Sequence, residues 1–262
     1  MSIARSRRFE FLDAAAPLAF AHRGGTAGGL ENSMTAFERC VQLGYRYLET
    51  DVHVTADGVA LAFHDAHLDR VTDRTGRVAR LPWREVAKAR IGGLEPIPRL
   101  EDLLAAWPQV RVNLDVKAAP AAAALAEAVR RTAAQQRVCL ASFSDRRLAA
   151  ARRLLGPEVC YSMGARTVVA LWVAAGSRWL SRLAPSGPPC VQVPVRFGRR
   201  VVLDADLVRA AHARGMQVHV WTVDTESEID AVLDLGADGV MTDRPEVLKA
   251  VLQRRGAWAG QT

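Results

Sequence analysis

The sequence predicts an α/β chain folded as a (β/α)₈ barrel, with one inserted segment after the second strand. Three observations carry that prediction. Eight short apolar runs, near residues 17–21, 45–52, 110–116, 137–142, 158–162, 190–195, 216–223 and 238–242, have the length and composition of buried strands. Stretches with helical periodicity alternate with them, at 33–43, 99–107, 120–135, 145–155, 165–183, 204–214, 226–235 and 245–254. The 262 residues suit one domain of the larger sort or two small ones, and are read as one domain spanning 1–262. A doubly wound open sheet would show the same alternation, so the count decides: eight is the barrel number.

The first run, Leu18-Ala19-Phe20-Ala21, ends in a histidine, an arginine and two glycines, "AFAHRGG". Ser33 follows as the cap of the first helix. The second run closes on "YLETDVH", and there the rhythm breaks. About 45 residues (53–97) precede the helix that begins near Pro98, too many for an ordinary βα loop. They contain "TADGVALAFHDAHL", where Asp57-Gly58 separates two extended runs and signals a hairpin, and then "DRTGR" and "LPWREV". An ordered insertion above the barrel is expected, on the face where such barrels keep their chemistry. The segment "ARTVVALWVAAGSRWLSRLA" (165–184) is amphipathic, with two tryptophans and flanking arginines. It reads as the fifth barrel helix; a weak membrane-surface contact delivering a lipid substrate is the sharper alternative. Thr242-Asp243 ends the last strand, either behind the site or as the cap of "RPEVLKAVL".

Composition narrows the function classes. Half the residues are hydrophobic, enough for a sizeable core. The formal charge is +7, but the arginines are dispersed, with no dense tract of the nucleic-acid-binding kind. A weak preference for anionic small molecules or surfaces is what the charge supports. Cys40, Cys139, Cys160 and Cys190 stand singly in apolar stretches without CxxC spacing, and read as buried thiols in a reducing compartment. The N-terminus has early arginines but also Glu10 and Asp13, with no continuous apolar run of the signal-peptide kind. Val168–Ala175, the most apolar stretch, is too short to span a bilayer, so a cytoplasmic protein is expected.

Chemistry-bearing side chains gather at the strand ends. Glu49 and Asp51 are two apart, so on an extended strand they share one face. Asp115 and Lys117 repeat that spacing on the third strand. Carboxylates so placed repel unless a cation or proton lies between them, and three of them suit a hard divalent ion, Mg²⁺ or Ca²⁺. His22 and His64 stand at segment ends above the barrel, where one imidazole can accept a proton while the other donates one. Arg23 can hold two phosphate oxygens in a fork, and Gly24 and Gly25 would let a substrate approach the backbone. Of the other histidines, His53 continues the phase of Glu49 and Asp51, and is read as either behind the site or packing. His67 reads as a surface residue, His212 as a helix residue without a role, and His219 as a hydrogen-bonded residue of the barrel interior. Gln192 and Arg196 flank the sixth strand, within reach of a substrate.

The ordered set His22-Arg23-Gly24, Glu31-Asn32-Ser33, Glu49-Thr50-Asp51, Asp57-Gly58, His64-Asp65, Asn113-Leu114-Asp115-Val116-Lys117, "VHVWTVD" and "GADGVMTDRPE" resembles the glycerophosphodiester phosphodiesterases. The resemblance runs from about residue 17 to 250. It implies a metal-dependent TIM barrel with an inserted segment. It implies catalytic histidines at His22 and His64 and metal ligands at Glu49, Asp51 and Asp115. Arg23 and Lys117 would stabilise the phosphoryl charge, and Trp221 would line the substrate pocket. Asp115 stands where the family usually has Glu, Asp224 where Asn is common, and Ser33 where Thr is usual. The function this implies is hydrolysis of a small-molecule glycerophosphodiester to an alcohol and glycerol 3-phosphate. A lysophospholipase D acting on lipid-tailed diesters would use the same site. A non-catalytic barrel binding phosphate metabolites is disfavoured, since a pure binder has no need of two proton carriers.

Overall fold

The computed structural model describes residues 9–15, 17–176 and 187–258. Eight parallel strands form the barrel: β1 (Leu18–His22), β2 (Tyr47–Val54), β3 (Arg111–Val116), β4 (Val138–Ala141), β5 (Cys160–Tyr161), β6 (Cys190–Pro194), β7 (Gln217–Trp221) and β8 (Gly239–Thr242). They pair in the order β5-β4-β3-β2-β1-β8-β7-β6. The circle closes through a parallel bridge between Ser162 and Cys190 and the hydrogen bond from Met163 N to Cys190 O, 3.1 Å. Helices α1 (Met34–Gln42), α2 (Leu100–Ala106), α3 (Ala121–Arg131), α4 (Asp145–Leu155), α5 (Ala165–Ala175), α6 (Ala205–His212), α7 (Glu226–Asp234) and α8 (Pro245–Arg254) accompany the strands. Each lies within one of the predicted spans. Residues 177–183 of the fifth, with Trp179, lie outside the described residues.

Strand alternation sorts the core into two layers. Ala19, Ala21, Leu48 and Val52 face outward and join the main cluster that packs strands against helices. Leu18, Phe20 and Tyr47 face inward with Cys139, Cys160, Cys190 and Met241. Phe11, on a short turn at Glu10–Leu12, belongs to this inner layer. Its ring meets Tyr47 edge-on at 5.4 Å, and the Tyr47 hydroxyl donates to Phe11 O at 2.8 Å. Burying such a ring contributes roughly 1.5–3 kcal/mol.

The inserted segment is ordered, as its turn chemistry predicts. Ala60–Ala62 returns antiparallel along β2, with Val52 opposite Ala62 and Val54 opposite Ala60. Gly58 takes the positive φ (86°) of the turn. Asp57 fixes that turn from the side: its Oδ1 accepts from Thr55 Oγ1 at 2.6 Å and from Trp83 N at 2.8 Å. Leu61, Phe63, Leu68, Val78, Val86 and Ile91 give the segment a small core of its own, so His64 is carried on a packed element.

Register sets the height of each side chain above the barrel. His22 on β1 is level with Glu49 on β2, and Asp51 on β2 is level with Asp115 on β3. Three neighbouring strands thus bring an imidazole and three carboxylates to one end. No helix of the described residues is long and apolar enough to cross a membrane.

Candidate active site

A cavity of about 510 Å³ opens at the C-terminal ends of the strands. His22, Arg23, Glu49, Asp51, His64, Asp115, Lys117 and Trp221 all line it. The candidate catalytic pair, the three candidate metal ligands, Arg23, Lys117 and Trp221 therefore face one space.

Both histidines are oriented through Nδ1. His22 Nδ1 lies 2.7 Å from Asp243 Oδ1, and His64 Nδ1 lies 2.6 Å from Asp65 Oδ1. An imidazole held this way keeps Nε2 available for chemistry. Burial works against a charge on His22, but Glu49, with Nε2–Oε2 at 3.7 Å, and Asp243 outweigh it and raise its pKa. His53 ties the backbone that carries His64: its Nε2 reaches His64 O at 3.0 Å, and burial lowers its own pKa.

The acids carry more negative charge than the local cations balance. Lys117 Nζ lies between Asp51 Oδ1 (2.8 Å) and Asp115 Oδ2 (2.6 Å). Burial favours the neutral amine, yet the two carboxylates hold its pKa above the usual lysine value. Burial would likewise raise Asp51, but Lys117 and Arg23 outweigh it and hold it low. Glu49 is pushed up to about 7, chiefly by burial and then by the Asp51 charge. Burial also raises Asp115, whose Oδ1 is buried with no hydrogen-bond partner. A hard divalent cation fits this donor set: carboxylate oxygens from adjacent strands, one orphaned, with a deficit of positive charge.

Arg23 is tied from several sides. Its Nη1 donates to Glu31 Oε1 at 3.1 Å, and its backbone N donates to Glu49 O at 3.0 Å. Its Nε pairs electrostatically with Asp51 Oδ2 at 3.2 Å, but the angle is not that of a hydrogen bond. Asn32 links the same elements, accepting from Thr50 Oγ1 at 2.6 Å and donating to Asp51 Oδ2 at 3.4 Å. Ser33 caps α1, accepting from Ala36 N at 3.1 Å.

The two glycines are a correction. The sequence places them to admit substrate to the backbone, but a Cβ on Gly24 would come within 3.0 Å of the Ala36 backbone. A Cβ on Gly25 would lie 3.0 Å from the Pro245 ring. Both have positive φ, 75° and 83°. They turn the chain tightly against α1 and α8; the substrate side belongs to other residues.

Sequence reasoning left several partners unassigned. Asp243 proves to hold His22 rather than to cap α8. Asp224 anchors it, accepting from Thr242 Oγ1 (2.9 Å) and Asp243 N (2.7 Å). Arg70 joins the insertion to the first loop, reaching Glu31 Oε1 at 2.7 Å and Asp65 Oδ2 at 2.5 Å. Its only signal in the sequence is its place five residues after Asp65. Trp221 lines the cavity with Phe143 edge-on at 5.7 Å. Gln192 lines it as well, whereas Arg196 stands outside it. His67 and His212 are exposed, the latter on Asp238 Oδ2 at 2.7 Å. His219 is buried in the barrel interior on Gln217 Oε1 at 3.1 Å. The cysteines are free and buried as expected, but Cys139, Cys160 and Cys190 gather with their sulfurs within 4.8 Å of one another. The three carboxylates of the cavity are not drawn together so closely.

Comparison with known proteins gives one consistent result. The model of the glycerophosphoryl diester phosphodiesterase family matches residues 22–247. The chain is 44% identical over 255 residues to "Probable glycerophosphodiester phosphodiesterase 2" of Mycobacterium tuberculosis, covering 96% of each. A solved structure from Silicibacter pomeroyi superposes with a TM-score of 0.79 at 24% identity, covering 95% of this chain and 99% of that one. A phosphodiesterase from Oleispira antarctica, in complex with the product sn-glycerol-3-phosphate, superposes with a TM-score of 0.75 at 25% identity, covering 91% and 97%.

Proposed function

This chain belongs to the glycerophosphoryl diester phosphodiesterase family and hydrolyses glycerophosphodiesters to an alcohol and glycerol 3-phosphate, and we propose that two aspartate-oriented histidines move the protons of that reaction. The observation that carries the proposal is the matched pair of dyads, His22–Asp243 and His64–Asp65, facing one cavity. One Nε2 takes the proton of the nucleophile as its oxygen bonds to phosphorus, the nucleophile being a water or a glycerol hydroxyl whose cyclic phosphate a water then opens to glycerol 3-phosphate. The other delivers a proton to the departing alcohol as the P–O bond breaks. General acid–base catalysis of this kind contributes roughly 10²–10⁴-fold.

Glu49, Asp51 and Asp115 would hold a divalent cation, Mg²⁺ or Ca²⁺, both of which favour oxygen donors. When bound, such an ion would supply charge neutralisation at the phosphate and polarise the attacking glycerol hydroxyl or water. Arg23 and Lys117 add positive charge at the wall of the same cavity, where excess negative charge develops at phosphorus. Glu31 and Arg70 keep Arg23 and the Asp65 side in register. We read residues 1–262 as one catalytic domain. Four unpaired cysteines support a cytoplasmic location.

A second substrate reading rests on the opposite wall. Phe143, Met163, Val168, Trp172, Phe197 and Trp221 make that side of the cavity apolar, which suits a lysophospholipase D acting on lipid-tailed diesters. The test is a panel of glycerophosphocholine, glycerophosphoethanolamine and lysophosphatidylcholine, assayed for glycerol 3-phosphate and for free alcohol. Release of glycerol 3-phosphate supports the first reading, and release of choline from lysophosphatidylcholine supports the second. No release from any of the three would contradict both.

A further inference from the structure

Of the eight large hydrophobic side chains exposed among the described residues, three line the cavity and two more stand beside them on the same helix and hairpin. Phe143, Val169 and Phe197 line the cavity with part of their surface and show the rest to solvent. Val173 stands one turn beyond Val169 on α5, and Val201 pairs with Arg196 in the hairpin that carries Phe197. That hairpin has only two residues in each strand, Arg196–Phe197 and Arg200–Val201, and all four are exposed. Phe197 is 72% exposed. Single exposed apolar residues are ordinary, but a group of them at one opening marks a contact surface.

The charges of this face point to the partner. Arg166, Arg196, Arg199 and Arg200 are exposed, and none forms an ion pair among the described residues. Arg166 shares one helix stripe with Val169 and Val173 by its spacing of three and seven. The nearby Asp145 is occupied by the start of α5, accepting from Arg166 N (3.2 Å) and Thr167 Oγ1 (2.9 Å). A second copy of the chain would set these arginines against their own kind in a two-fold contact. An anionic lipid surface meets both features, taking the apolar side chains below its headgroups and the arginines at them.

We propose that the open end of the barrel docks on an anionic phospholipid surface through Phe143, Val169, Val173, Phe197 and Val201, with Arg166, Arg196, Arg199 and Arg200 at headgroup level. This rests on the hydrolase reading only in that the docked face is also the entrance to the catalytic cavity.

The test is sedimentation with vesicles of phosphatidylcholine alone, or of phosphatidylcholine and phosphatidylglycerol in equal parts. The variants are Val173→Asp with Val201→Asp, and Arg166→Glu with Arg199→Glu, four positions that do not line the cavity. The wild type should sediment with the mixed vesicles and far less with phosphatidylcholine. The charge-reversed variant should lose partition to the mixed vesicles by at least about tenfold, and the valine variant by a similar factor. Both should turn over glycerophosphocholine in vesicle-free buffer at the wild-type rate, which also reports that they fold. A valine variant inactive in that assay leaves the arginine variant to decide the matter. A wild type that stays in the supernatant, or variants that sediment like it, would overturn the docking. So would a wild-type dimer, dissolved by the valine variant, that ignores vesicles. A wild type that binds vesicles but hydrolyses no diester would contradict the hydrolase reading and leave the docking standing.

Discussion

His22 and Asp243 stand 221 residues apart in the chain and share a hydrogen bond of 2.7 Å, Nδ1 to Oδ1, at the junction of the first and last strands. Asp243 therefore fixes the ring's rotation and helps hold its pKa above the ordinary histidine value. Asp243→Asn keeps the shape and removes the charge. Turnover should fall by roughly 10²-fold with little change in KM, and the limb of the pH profile governed by His22 should move to lower pH. An unchanged profile would mean that Asp243 only packs.

Asp115 carries a buried oxygen without a partner, the local feature that most supports its proposed role as a metal ligand. Excess EDTA should abolish turnover, and Mg²⁺ or Ca²⁺ should restore it. Asp115→Asn should raise the half-activating concentration of that ion by at least about tenfold. If metal dependence is unchanged and only the melting temperature falls, Asp115 is a structural acid.

Gly24 tests the corrected role of the glycine pair. Gly24→Ala places a methyl 3.0 Å from the Ala36 backbone at a φ of 75°. The two penalties together should cost about 2–5 kcal/mol, seen as a melting temperature lower by roughly 10 °C. A variant that melts with the wild type would return these glycines to the substrate side.

Much of this was legible in the sequence because strand periodicity assigns a face to each residue. The short apolar runs located all eight strands. The spacing of Glu49, Asp51 and Asp115 placed the three acids on the right wall. What periodicity does not give is which strand ends meet. The bond from His22 to Asp243 needs β1 and β8 to be neighbours, a consequence of closure. The meeting of Cys139, Cys160 and Cys190 needs the registers of β4, β5 and β6. The link from Arg70 to Glu31 depends on how the insertion packs over the first loop. The role of the two glycines is not legible in the sequence because their crowding comes from α1 and α8.

Glu31 gives a pH signature of stability. Burial would raise its pKa, but Arg70 and Arg23 outweigh it and hold it low. A carboxyl held low in the folded state stabilises above its unfolded pKa and loses that contribution as pH falls through the folded value. With EDTA present, Glu31→Gln should be less stable than the wild type by about 2 kcal/mol at pH 7. The gap should close as the pH falls through the lowered pKa of the folded carboxyl, where the wild type takes up the proton. A gap independent of pH would contradict the ion-pair account.

The central claim is that His22 and His64 carry protons, and the leaving group tests it most directly. Choline must be protonated as it departs, whereas p-nitrophenolate leaves readily as the anion. His22→Ala and His64→Ala should each lose roughly 10²–10⁴-fold on glycerophosphocholine. On an aryl phosphodiester, the variant lacking the acid should recover most of its loss, and the variant lacking the base should not. That asymmetry assigns the two roles. Equal losses on both substrates for both variants would show that the rings bind phosphate instead of moving protons, and would contradict the mechanism.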